Sequence, residues 1–128
     1  MILDSTVLID FLRGKQNAVD VLSLTNTFYT TEINVYELTT GIFLVRNNSK
    51  LHLDKLNAVL ARLIVLPLDR KAAIKAGEIT ADLIKKGLTI EESDCLIAGI
   101  ALSNNIQKII TANKDHFSRI SEMQVISY

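Results

Sequence analysis

Short apolar runs of strand length alternate along the whole chain with apolar residues repeating at helical spacing, and this alternation restricts the fold more than any other feature. The chain opens with Met1-Ile2-Leu3 and reaches Asp4 at once; Val7, Leu8, Phe11 and Leu12 then follow at helical spacing until Arg13-Gly14 stops them. A second helix is expected around residues 16–24, and a β-rich stretch of threonines and aromatics over 27–31. Asn34 with Glu37 makes a capping-box pattern, so a long helix with Leu38, Ile42 and Val45 on one face should begin there. Leu53, Leu56, Leu60 and Leu63 give another stripe, after which residues 63–68 read as a buried strand with Asp69 capping the next helix. Ile74, Gly77, Ala81 and Ile84 continue that helix, and Lys85-Lys86-Gly87 ends it with basic residues and a glycine. Residues 95–102 are apolar except for Gly99 and predict an enclosed helix with Ser93-Asp94 at its start. Residues 108–112 then read as a strand, 113–119 as a polar loop and 123–127 as a last strand. Strands alternating with helices imply right-handed crossovers and a parallel sheet with helices on both faces. Ligands bind such sheets beyond the carboxyl ends of the strands, where Asp4 already stands.

Composition narrows the class. With 128 residues, 48% hydrophobic and 22% charged, the chain is of globular type and can hide roughly two-thirds of its unfolded surface without a disulfide or structural metal. No linker, repeat or low-complexity tract interrupts it, so one domain over residues 1–128 is expected. The longest apolar runs, 63–68 and 96–102, fall far short of the ~20 residues of a membrane-spanning helix. The N-terminus has no basic leader, and Asp4 and Asp10 interrupt its apolar stretch, so the expected location is the cytoplasm. The lone Cys95 agrees, since it cannot close an intrachain disulfide. Fourteen basic residues balance fourteen acidic ones, so any phosphate binding must come from local patches. No glycine-rich phosphate loop is present.

The acids carry the chemistry. Asp4 alone reads as a helix cap, Glu37 as the return half of a capping box, and Asp94 as an acid favoured by a helix dipole. Yet all three fall at helix starts on the strand-exit side of one parallel sheet, where separate crossovers bring them near each other. Neighbouring carboxylates repel and raise one another's pKa unless a cation lies between them. Oxygen-only ligands suit Mg²⁺ or Mn²⁺. Such a site favours phosphodiester hydrolysis, through a metal-activated water and, where a second ion sits roughly 4 Å away, stabilisation of the leaving oxygen.

The segment Leu3-Asp4-Ser5-Thr6-Val7-Leu8-Ile9-Asp10-Phe11-Leu12-Arg13-Gly14 resembles the opening of PIN-domain nucleases, especially the VapC-type toxins of toxin–antitoxin pairs. Thr31, Asn34, Glu37-Leu38 and Gly41 are similar to the family's second block, Asp94-Cys95-Leu96-Ile97-Ala98 to its third, and Ile109-Ile110-Thr111-Ala112-Asn113 through His116-Phe117 to its fourth. Four blocks in order, over nearly the whole chain, carry the resemblance. It implies a three-layer α/β/α PIN-like domain with a mainly parallel sheet of four to five strands. It also implies an endoribonuclease that cleaves structured RNA, with Asp4, Glu37 and Asp94 as catalytic and metal-binding acids, Thr111 at the floor of the site, and Thr6 supporting it. The family's fourth acid is replaced: Asn113 stands there and Asp115 follows two residues on, which puts a second metal ion in question. The resemblance further implies a homodimer and an antitoxin whose tail covers the acids, with apolar positions over 35–45 and 53–63 as natural docking points.

Arg13, Lys15, Arg46, Lys50, Lys114 and Arg119 fall near the expected mouth as candidate phosphate contacts, and His116 as a candidate RNA contact. Cys95, among apolar neighbours, reads as core, and His52 as a surface or boundary residue. Asp10 should point away from the site, and Thr89 with Glu92 can form a capping box of its own. Phosphoryl transfer through Asp4 is a rival, weakened because Thr6 stands where a second acid belongs. A catalytically silent module binding RNA or protein is the alternative from another class.

Overall fold

The computed structural model describes residues 1–45 and 47–128, so Arg46 lies outside the described residues. Five short strands form a wholly parallel sheet in the order β3-β2-β1-β4-β5, with β1 Ile2–Leu3, β2 Tyr29–Thr31, β3 Ile64–Leu66, β4 Lys108–Ile110 and β5 Gln124–Ile126. The connections supply α1 Ser5–Leu12, α2 Gln16–Leu22, α3 Glu32–Leu44, α4 Ser49–Leu60, α5 Arg70–Lys86, α6 Glu92–Ser103 and α7 Lys114–Phe117.

Strand side chains alternate between two cores, as a pleated sheet covered on both faces requires. Ile2 and Ile109 join Ile79, Leu83, Ile97, Ala98 and Phe117 under α5 and α6, whereas Leu3 and Ile110 join Val7, Leu8, Leu22, Leu38 and Leu56 under the helices of the first half. The α/β/α layering expected from the sequence is therefore the observed one. The chain builds outward from β1 through β2 to β3, then returns to β1's other side with β4. The topological switch thus falls between β1 and β4, and Asp4 and Thr111 are the residues that leave those two strands.

Several local expectations are corrected. The capping box of α3 lies three residues earlier than Asn34-Glu37: the Thr31 hydroxyl accepts from the Asn34 backbone N–H, and the Asn34 amide oxygen accepts from the Thr31 backbone N–H. Thr31 outcompetes Asn34 as cap because it is the residue leaving β2 in extended conformation. Glu92 does not close a box with Thr89; α6 starts after Glu91 without a side-chain cap. Residues 64–66 form an edge strand, partly exposed rather than buried. The stripe of α5 is reversed as well: Ala72, Ala76, Ile79 and Leu83 face inward, while Ile74 is 66% and Ile84 60% exposed. The small Ala72 and Ala76 took the first half of the inner face because α5 packs tightly along α6 there, where an added Cβ on Gly99 would stand 2.6 Å from the Cβ of Ala76. Gly87 ends α5 in the left-handed conformation, as the sequence indicated. The expected loop over 113–119 contains α7, too short to be stable alone. Burial of Phe117, fully enclosed, contributes about 1.5–3 kcal/mol to holding it.

Candidate active site

The residues leaving β1, β2 and β4 meet the first turns of α1, α3 and α6 in one polar cluster. Asp4 occupies the N-cap position of α1 but makes no side-chain cap bond, so its carboxylate serves other partners. Its Oδ2 accepts from the Thr111 hydroxyl at 2.7 Å and the Thr6 hydroxyl at 3.3 Å, and its Oδ1 accepts from the Asn34 amide at 3.1 Å. The same Asn34 nitrogen donates to Ser5 Oγ at 2.9 Å, and Ser5 in turn donates to Glu37 Oε1 at 2.8 Å. At the start of α6, Asp94 Oδ2 is contacted by the Asn113 amide nitrogen at 3.1 Å and by His116 Nδ1 at 2.6 Å. Among the described residues, every buried polar side chain except Thr30 belongs to this network, and no buried side-chain nitrogen or oxygen lacks a partner.

The electrostatics identify the cluster as more than capping. Burial pushes the Glu37 carboxyl above its ordinary value, the Ser5 hydroxyl pulls it back, and the charges of Asp4 and Asp94 push it further. Asp94 is likewise raised by burial, lowered by the His116 hydrogen bond, and raised again by the charge of Asp4. Glu37 and Asp94 thus both feel the charge of Asp4, and Glu37 that of Asp94 as well, the condition that a bound cation relieves. Among the described residues no three His, Cys, Asp or Glu side chains stand drawn in around a common metal position. The donor set nevertheless fits a hard divalent ion. All donors are oxygens, the charge is in excess, and Glu37 Oε2 and Asp94 Oδ1 take no hydrogen bond from the described residues.

Sequence reasoning had named Asp4, Glu37, Asp94, Thr6, Thr111, Asn113 and His116, and all seven lie in or directly against this network. Asp115 does not; it is exposed, its side chain makes no hydrogen bond or ion pair among the described residues, and its backbone carbonyl accepts from the Ser118 hydroxyl. Ser5 and Asn34 were missed as members. Asn34's spacing from Glu37 signalled a helix cap, and that assignment hid the amide nitrogen that reaches Asp4. Asp10 points away, holding Lys15 at 2.9 Å and accepting from the Tyr128 hydroxyl at 2.7 Å. Burial, then the bond to Asp10, pushes the Tyr128 phenol up to about 12. Arg119 donates to the Thr89 carbonyl, whereas Arg13, Lys50 and Lys114 are exposed. Cys95 is buried and His52 exposed, as expected. Arg13 and Glu37 also line an apolar groove of about 330 Å³ that continues over Leu38, Ile42 and Val45.

The PIN domain family model matches residues 1–123. The chain is 30% identical to Ribonuclease VapC of Rickettsia bellii, over 99% of its own length and 95% of that protein's. The chain is a PIN-domain protein of the VapC group. It is also 30% identical to Ribonuclease VapC2 of Rickettsia felis, covering 84% of this chain and 78% of that one. Among solved structures it superposes on DNA-bound VapBC from Salmonella typhimurium with a TM-score of 0.89 and 28% identity, covering 98% of this chain and 96% of that one. Among the described residues of this PIN-domain protein, no helix is long and apolar enough to cross a membrane.

Proposed function

We propose that this VapC-group protein is the toxin of a toxin–antitoxin pair, an endoribonuclease that hydrolyses structured RNA with Mg²⁺ or Mn²⁺ held by Asp4, Glu37 and Asp94. The observation that carries the reading is the meeting of three carboxylates beyond the strand ends, with Glu37 and Asp94 both raised by burial and by the charge of Asp4. The family match and the two ribonuclease relatives support it. A bound divalent ion supplies a water of lowered pKa and a Lewis acid for the phosphodiester. The chain's own residues do the rest. Thr111, Thr6 and Asn34 fix the two oxygens of Asp4, and Ser5 fixes one oxygen of Glu37. Asn113, rather than Asp115, takes the fourth position, for its amide already touches Asp94; being neutral, it favours one ion over two. Arg13 and Lys114 are exposed and in no ion pair among the described residues, so they are free to meet RNA phosphates. Lys15 exchanges its surface pairing with Asp10 at little cost. The partners are a cytoplasmic RNA, a second copy of the chain, and a small antitoxin seated on the groove beside Glu37, placing an arginine among the acids.

The test is cleavage of a pool of structured RNAs by purified protein freed of copurified partner, with Mn²⁺ or EDTA, beside Asp4→Asn. Cleavage should require both the metal and Asp4. An Asp4→Asn protein that still cleaves refutes the site. A folded wild type that neither cleaves nor gains stability from Mn²⁺ is the silent binding module instead.

A further inference from the structure

Asp94 is held in an unsymmetrical way. Its side chain is only 6% exposed, yet Oδ2 has both contacts while Oδ1 has none. A buried carboxylate normally fills the acceptor capacity of both oxygens. Since no sealed side-chain oxygen lacks a partner among the described residues, Oδ1 keeps some exposure to solvent. The two groups on Oδ2 come from one place, the start and third residue of α7. Asn113 is the N-cap of that helix but makes no side-chain cap bond; its amide is diverted from the usual duty of an N-cap asparagine and aimed at Asp94. His116 approaches the same oxygen at 2.6 Å with Nδ1, and the Asn113 and His116 nitrogens stand 2.9 Å apart, side by side on it. An ionised carboxylate oxygen only accepts, so opposite ionised Asp94 the His116 nitrogen acts as donor through Nδ1–H, and its 2.9 Å approach to the Asn113 nitrogen is then the contact of two donors sharing one acceptor, not a hydrogen bond between them. Phe117, fully buried next to His116, anchors the short helix that carries both donors.

We propose that Asn113 and His116 form a positioning clamp on Asp94, two N–H donors locking Oδ2 so that Oδ1 faces the cation. The clamp stands where a fourth acid would otherwise be, and trades a negative ligand for orientation of an existing one. It rests on the reading of Asp94 as a cation ligand. The role belongs to Nδ1, not to the opposite ring nitrogen, and this makes it separable by substitution. In asparagine the amide nitrogen is bonded to Cγ, as Nδ1 is in histidine, whereas the glutamine nitrogen lies one atom further out, in the position of Nε2.

The experiment measures Mn²⁺ affinity at one fixed pH by paramagnetic resonance of free Mn²⁺, with unfolding midpoints in EDTA to confirm that each variant is folded. His116→Ala should weaken Mn²⁺ binding about 10–100-fold, the usual loss when a ligand's hydrogen-bonding partner is removed. His116→Asn should restore it, and His116→Gln should fall with the alanine variant. If His116→Ala does not fold, the asparagine and glutamine variants decide alone. Unchanged affinity in His116→Ala, or rescue by glutamine and not asparagine, overturns the clamp while leaving Asp94 a ligand. A wild type that does not bind Mn²⁺, or an Asp94→Asn protein that binds it undiminished, overturns the ligand reading and the clamp with it.

Discussion

Gly99 is the position where helix preference and packing oppose each other most sharply. It lies inside α6, five residues after Asp94, against α5. By helix propensity alone, alanine there should gain about 1 kcal/mol. A Cβ built on Gly99, however, meets Ala76 Cβ at 2.6 Å and two backbone atoms, the Ala72 oxygen and the Ala76 nitrogen, at 2.7 Å. Non-bonded carbon atoms rest about 3.5–4.0 Å apart, so α5 and α6 must separate by about 1 Å. Two of the atoms in the way are backbone and the third is a Cβ fixed to it, so none can rotate aside, which puts the overpacking cost near the upper end of its usual range, about 3 kcal/mol. Packing therefore wins, and Gly99→Ala should lose about 2 kcal/mol net. Gly77, exposed in α5 with nothing within 4 Å of its built Cβ, provides the internal control: Gly77→Ala should gain about 0.5–1 kcal/mol. Urea unfolding reads both as midpoint shifts at constant slope. Because α6 carries Asp94, a displacement of about 1 Å should also cost RNA cleavage on the order of 10²-fold. A Gly99→Ala protein as stable as the wild type would refute the close approach of α5 and α6 and the reason given for the reversed face of α5.

The raised carboxyls of Glu37 and Asp94 mean that the folded chain holds more protons than the unfolded one from the ordinary carboxylate range up to their folded values, so stability without metal falls as pH rises through that window. Mn²⁺ at 100 times its Kd should add about 2.7 kcal/mol at neutral pH, and thermal unfolding curves in Mn²⁺ and EDTA should converge as the acids protonate; a gap that does not change with pH contradicts the site. Asn34→Asp replaces the donor 3.1 Å from Asp4 Oδ1 by a buried carboxylate, and should cost about 3–5 kcal/mol, read by urea unfolding at neutral pH, with partial recovery in acid. An Asn34→Asp protein of wild-type stability would show that the amide does not hold Asp4.

The layered parallel fold was legible because it rests on periodicity, and periodicity is local: a two-residue strand, an acid and a helical stripe can be read from Ile2 to Leu12 without knowing their neighbours. The three acids were legible for a related reason, since the carboxyl ends of parallel strands must share an edge. What could not be read was which of two apolar faces turns inward. On α5 the larger residues Ile74 and Ile84 were the natural choice, and Ala72 and Ala76 took the inner face because of how closely Gly99 lets α6 approach. Nor could the sequence show that Asn34 serves Asp4 as well as its own cap, or that Asn113 forgoes capping α7 to join His116 on Asp94. Hydrogen-bond capacity belongs to each residue and is written in the chain. Its allocation depends on which partners, 107 residues apart in the case of Thr111 and Asp4, the packed sheet brings within hydrogen-bonding distance. The sequence by itself determined the layers and the chemistry of the edge, and tertiary packing decided how that edge is wired, because donor and acceptor meet only after both cores have closed around the sheet.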